Sequence, residues 1–140
     1  MEAEAIAAQA SSESGLDDRP HADPLVLAAA YLQLRLMPRR GRCSRLLDGV
    51  IVYPAHADEQ ARAYFVAHEC GHFLVRDVGL RVAEHEEEML ASRIGCALIL
   101  PRRAFLRDAR RCDEDVDQLR ALWPLATAKI IRRRLAELRD

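Results

Sequence analysis

Aromatic side chains make up only 5% of this 140-residue chain, with Trp123 the single indole, so its core must be built from Leu, Ile, Val and Ala. That mixture favours helices over sheet. Lysine is equally scarce: Lys129 is the one lysine among 21 basic residues, which with the alanine richness points to a GC-rich bacterial genome more than to a function. Cys43, Cys70, Cys96 and Cys112 form no C-x-x-C pair, and their spacing suggests neither a zinc knuckle nor a disulfide framework. They read as reduced thiols. The opening Met-Glu-Ala-Glu has neither a positive n-region nor an apolar h-region, so no secretory signal is expected. The longest apolar stretch, Pro24 to Leu34, already contains Gln33, is stopped by Arg35, and falls short of the ~20 residues of a membrane span. The cytoplasm is the expected compartment. Internal repeats and a Gly-rich phosphate loop are also missing.

What is present suits one domain. Half of the residues are hydrophobic, and the length fits a single core rather than two. The net charge of −1 conceals a gradient: residues 1–20 carry five acids against Arg19, and residues 102–140 carry eleven bases against seven acids. A basic end can meet an acidic partner or nucleic acid, but such runs are ordinarily solvated helix faces, and that is the reading adopted here.

Residues 1–20 are rich in Ala, Glu and Ser without a sustained apolar period, and they are expected to form a disordered acidic tail or a frayed helix. Residues 21–140 form the expected domain. Asp23 can cap a helix starting at Pro24, with Leu25, Leu27, Ala28, Tyr31, Leu32 and Leu36 on one side and Pro38 marking its end. Val50 to Tyr53, bounded by Gly49 and Pro54, predicts a strand, hairpinned with Arg42 to Leu47. A helical pattern follows from His56 to Val75, capped by Asp58 and closed by a turn at Asp77-Val78-Gly79. Another runs from Ala83 to Leu100 and stops at Pro101. From Val116 to Leu138 the apolar spacing implies one or two helices broken near Pro124. The expected fold is mixed α+β, a mostly helical single domain with a small sheet or hairpin.

The chemistry sits at His68-Glu69-Cys70-Gly71-His72, an H-E-x-x-H pattern. Histidines four apart lie one turn above each other on a helix, so both can present a nitrogen to one ion. Glu69, about 100° further round, stands where it can take a proton from a metal-activated water without being a ligand. That is the chemistry of peptide hydrolysis, with one zinc ion as cofactor and Glu69 as general base. The plain alternative is a helix with two ordinary histidines. The flanking Tyr64 to Ala67 and Phe73 to Val75 are apolar, however, and burying two unpaired imidazoles costs about 1–3 kcal/mol for each unsatisfied group. Gly71 fits a close approach by a neighbouring segment. Cys70 faces away from the histidines and reads as core.

A third ligand must come from downstream. In the longer pattern ending G-x-x-H, Val75 and Val78 stand where the glycine and the histidine would be, which excludes that choice. A carboxylate at the start of the next helix remains, among Glu84, Glu86, Glu87 and Glu88; spacing does not choose between Glu87 and Glu88. Most of these acids are explained by the helix dipole. An oxyanion donor could come from Tyr31, Tyr53, Tyr64 or His85, and none is favoured.

His68-Glu-Cys-Gly-His72 followed by Glu88-Met-Leu-Ala-Ser-Arg-Ile-Gly-Cys-Ala-Leu-Ile-Leu-Pro101 resembles the ImmA/IrrE metallopeptidases, whose second motif reads roughly E-x-x-A-N-x-F-A-x-x-L-L-M-P. Asp48 to Val52 is similar to the family's strand before the zinc helix, Arg62 and Phe65 to its lead-in, and Leu119 to Leu135 to its closing segment, so the resemblance covers about residues 24–138. Ser92 stands for the usual Asn, Ile94 for Phe, Gly95 for Ala, and Ala126 and Thr127 for Val and Ser. The resemblance implies a gluzincin-type site in which Glu88 is the third metal ligand beside His68 and His72. It also implies limited proteolysis of a partner helix-turn-helix repressor inside bacterial cells. Direct DNA binding through Arg132, Arg133 and Arg134 is not expected. The competing reading is a non-catalytic regulator that uses the fold to hold metal, a repressor or DNA.

Overall fold

The computed structural model describes residues 2–18 and 22–139; Met1, Arg19–His21 and Asp140, which belong to the expected tail and domain, lie outside the described residues. Of the disordered tail or frayed helix expected there, the helical form is the one found, as α1 (Glu2–Ser14). Its stripe is made of Ala3, Ala7 and Ala10, all buried, and small residues of this kind carry almost no apolar signal in a sequence. They let α1 lie close against the helix that carries the expected third ligand, while Glu4 meets the fully buried Arg134.

Asp23 does cap a helix, its Oδ1 accepting from Leu25 N at 2.9 Å, but α2 (Pro24–Val26) continues only through a π-helical turn, Leu27–Tyr31. Gln33 takes a positive φ of 58° and ends it. The expected helical register to Leu36 is therefore wrong. Leu34 and Leu36 are buried or half-buried by two-residue alternation, which the 3.6-residue pattern imitates over so short a run. Strand β1 (Arg35–Arg39) pairs in parallel with β3 (Val50–Pro54), and β2 (Arg45–Leu47) pairs antiparallel with β3 on its other side, in the order β1-β3-β2. Pro38 is tolerated because β1 is an edge strand.

Helix α3 (Glu59–Asp77) starts at Asp58, whose Oδ1 accepts from Ala61 N at 2.8 Å, and α4 (Glu84–Ile99) follows after the turn at Gly79. These two pack against each other more extensively than any other pair of elements. Helix α5 (Arg102–Arg111) lies in a stretch where no helix is expected from the sequence, since its arginines hide a buried face of Ala104, Phe105, Asp108 and Ala109. Helices α6 (Val116–Leu122) and α7 (Ala128–Leu138) are broken at Pro124, as the spacing predicts, with Asp115 and Thr127 as caps.

The core has two lobes joined through α3 and α4. Val66, Cys70 and Leu74 pack with Ile51, Ile94 and the alanines of α1, and Ala67 with Cys96, Phe105, Trp123 and Ile131. Among the described residues, no helix is long and apolar enough to cross a membrane. The result is the mostly helical α+β domain expected, with α3 held between the sheet and α4.

Candidate metal centre

Helix α3 buries Val66, Ala67, Cys70 and Leu74, which turns His68 and His72 toward a cleft, each about one-eighth exposed. Their ring centroids lie 4.9 Å apart, as one helical turn dictates. The sequence supplies small residues where α3 meets α4: a Cβ on Gly71 would fall 2.4 Å from the Ala91 carbonyl oxygen, and one on Gly95 would fall 3.1 Å from His68 N. The helices thus meet almost backbone to backbone. That closeness brings the first turns of α4 within reach of both histidines.

Glu88 makes the connection. Its Oε1 lies 2.7 Å from His68 Nε2 and its Oε2 lies 2.8 Å from His72 Nε2. The other ring nitrogens are occupied: His72 Nδ1 lies 2.6 Å from Glu87 Oε2, and His68 Nδ1 lies 3.2 Å from Ser92 Oγ. With the Nδ1 hydrogen of His72 donated to Glu87, its Nε2 and the Glu88 carboxylate face each other as two acceptors. That contact is favourable only with a proton or a cation between them. The ligand atoms of His68, His72 and Glu88 all lie within 4.8 Å of one another, so this donor set could hold a metal ion. Two imidazoles and one carboxylate suit zinc.

Glu87 is tied down from both sides. Burial pushes its carboxyl up, but Arg76, with Nη2 at 2.9 Å, and His72 more than offset this and hold it below the usual carboxylate range. The two acids that spacing alone leaves open thus have different places: Glu88 faces both Nε2 atoms, and Glu87 grips the back of one imidazole. Such carboxylate–histidine contacts fix the ring and its tautomer. Ser92, which departs from the Asn of the family motif, still gives His68 Nδ1 a partner.

Glu69 is 5% exposed and sits on the same cleft, where Ser44 Oγ donates to its Oε2 at 2.5 Å. Sequence reasoning gives Ser44 no role, because only the β2–β3 hairpin brings it to α3 and Glu69, 25 positions further along the chain. The cleft has a volume of about 450 Å³, and Arg42, Cys43, Arg45 and Tyr64 also line it. Tyr64 stacks on His68 with centroids 6.2 Å apart and is the one expected oxyanion candidate on this wall. Tyr31 donates instead to Glu13, and Tyr53 packs on the core. Glu84, His85 and Glu86 are exposed, and none joins the cluster among the described residues. Cys70 is fully buried, and burial together with the neighbouring Glu69 raises its thiol far above the usual range.

Comparison with known proteins supports the same reading at a coarser level. No curated protein matches the sequence. A solved structure, a Mycobacterium tuberculosis transcriptional regulator, shares the fold with a TM-score of 0.78 at 17% identity, over 96% of this chain and 46% of that one. This chain thus spans a little under half the length of that regulator. A family model of peptidases, the IrrE N-terminal-like domain, matches residues 27–135, which takes in the sheet, α3, α4 and most of α7. The chain therefore belongs to the IrrE N-terminal-like peptidase family.

Proposed function

We propose that the chain is a zinc-dependent endopeptidase that makes a limited cut in a partner protein. The observation that carries this reading is the convergence of Glu88 on both Nε2 atoms, with the buried Glu69 carboxylate on the same cleft. His68, His72 and Glu88 would hold one zinc ion, which when bound supplies a Lewis acid and lowers the pKa of water toward ~7. Glu69 takes the proton from the attacking water and returns it to the leaving amine. Ser44 holds one oxygen of that carboxylate and leaves the other for the proton. Glu87 and Ser92 keep the two imidazoles in orientation. The outer edge of β2, which borders the cleft, offers backbone groups on which an extended peptide can lie.

A helix-turn-helix repressor in the bacterial cytoplasm is the partner this reading favours. The family membership and the motif resemblance support it, and a shallow cleft of this size gains affinity chiefly from a specific partner. A non-catalytic regulator on the same fold is the second reading, favoured by the name of the similar mycobacterial protein. Two measurements test the proposal. Purified protein should carry about one equivalent of zinc. Glu69→Gln should keep the metal and the partner but lose cleavage. If wild type binds the repressor and leaves it intact, as the Gln variant does, the non-catalytic reading stands.

A further inference from the structure

The segment Arg39-Arg40-Gly41-Arg42-Cys43-Ser44-Arg45 reaches the cleft at its Ser44 end, through the bond to Glu69. Arg42 and Arg45 line the cleft and are exposed. Among the described residues neither has a carboxylate within ion-pair distance, in contrast to Arg76 on the same wall, which is spent on Glu87. The two acids that line the cleft are likewise committed, Glu69 to Ser44 and Glu88 to the histidines. Arg39, the last residue of β1, and Arg40 next to it are exposed and add to the field of this loop. Two guanidiniums on the cleft wall without an internal ion pair among the described residues, beside a loop with no acid of its own, are free to meet anions from outside the chain.

We infer that Arg42 and Arg45 select an acidic stretch of the substrate, engaging Asp or Glu side chains that flank the bond to be cut. The inference rests on the peptidase reading for the bond cut, but the recognition it describes is a binding property that can be measured without cleavage. Guanidinium forks suit carboxylates, and pairs of this kind act on partner choice and encounter rate more than on raw affinity. Charge of the same sign on the substrate would be repelled, so the loop also rejects basic segments.

The test uses the full-length zinc-loaded Glu69→Gln protein and three fluorescein-labelled peptides identical except for four positions occupied by Glu, Gln or Lys. Anisotropy titration should show the Glu peptide binding about tenfold more tightly than the Gln peptide, the sum of two exposed ion pairs, with the Lys peptide weaker still. The preference should fall with added salt. It should vanish in Arg42→Gln/Arg45→Gln, whose side chains are exposed and make no ion pair among the described residues, and persist in Arg110→Gln/Arg111→Gln, which lies off the cleft. Equal binding of the Glu and Gln peptides, no binding of any peptide at millimolar concentration, or a preference that survives loss of both cleft arginines would overturn the inference. The last result would assign the preference to the metal. A charge preference in a protein that cuts nothing would instead sink the peptidase reading and leave this one standing.

Discussion

Gly71 and Ala91 pack backbone against backbone where α3 meets α4: a Cβ on Gly71 would lie 2.4 Å from the Ala91 carbonyl oxygen and 2.7 Å from its Cα. Because the obstacles are main-chain atoms, no rotamer change relieves the overlap; one helix must move. The candidate ligands sit on both helices, so this contact sets the reach of Glu88 to His68 and His72 as well as the packing of the core.

Gly71→Ala should therefore cost about 3 kcal/mol, at the upper end of overpacking, and lower the melting temperature by about 10 °C. Gly95→Ala is the control. Its Cβ would meet His68 N at 3.1 Å, a gap that a few tenths of an ångström cure, and the family motif carries Ala there. A cost below about 1 kcal/mol is expected, within the range of tolerated core changes. An unaltered melt for Gly71→Ala would contradict the helix contact described.

Removing the contacts behind the imidazoles should weaken the metal without removing a ligand. Glu87→Gln keeps an acceptor near His72 Nδ1 but loses the charge, and a drop in zinc affinity of about 10- to 100-fold is expected by chelator competition. Ser92→Ala should act in the same direction on His68. Glu88→Ala, by contrast, should abolish stoichiometric binding. Equal affinity of the Glu87→Gln and wild-type proteins would show that the 2.6 Å contact does not orient the ring.

The Glu4–Arg134 pair gives a pH signature. Burial pushes the Glu4 carboxyl up, but the Arg134 guanidinium, with Arg93 and Arg102, brings it below its ordinary 4.5. A carboxyl depressed on folding contributes stability that is present above the unfolded value and is lost as pH falls through the lower folded value. Thermal melts should thus lose stability on acidification below about pH 4.5, and this group's share of the loss should be missing in Glu4→Gln. At neutral pH that variant should be destabilised by about 3 kcal/mol, since Arg134, with 0% exposure, keeps its charge and loses its main partner. A Gln variant that melts like wild type at pH 7 would show that α1 is not held by this pair.

Thiol chemistry separates the four cysteines by position. Cys43 is exposed beside the cleft, Cys112 is half-buried, and Cys70 and Cys96 are buried. Burial pushes the Cys96 thiol up to about 11 and Cys70 higher still, so neither offers thiolate at neutral pH. An aromatic disulfide reagent should modify Cys43 first and Cys112 more slowly, with Cys70 and Cys96 reacting only after denaturation. Mass spectrometry of the labelled peptides gives the order, and early labelling of Cys70 would contradict the packing of α3.

How much of this was legible in the sequence depends on the range of each interaction. The α3 site was legible because its geometry is local: four residues make one turn, and Asp58 caps the helix by the same short-range rule that places Thr127 before α7. Glu88 could be singled out only through the family motif, because the fold of α4 against α3, not spacing, distinguishes it from Glu87. Ser44 gave no signal at all, since its partner lies 25 residues away. The segment around Gln33 reads as helix because Leu32 and Leu36, four apart, fit a helical stripe, while Leu32, Leu34 and Leu36 also alternate as a strand does, and pairing with β3 decides the matter. Helix α1 is legible only as one of two alternatives, because its buried face is mostly alanine and gives no apolar period to tell a packed helix from a tail.

The junction of Glu4, Arg134 and the Leu100 carbonyl has a further consequence, for the order of folding. Arg134 donates to Glu4, 130 residues away, and to the Leu100 carbonyl, 34 residues away, and the first contact spans more of the chain than any other side-chain hydrogen bond among the described residues. Closing such loops early would cost entropy that only an assembled α3–α4 unit can offset. The junction is expected to form late, after the transition state. Substitutions at Glu4 should accelerate unfolding while leaving the refolding rate nearly unchanged, so the ends of the described chain govern how long the native state lasts rather than how fast it is reached.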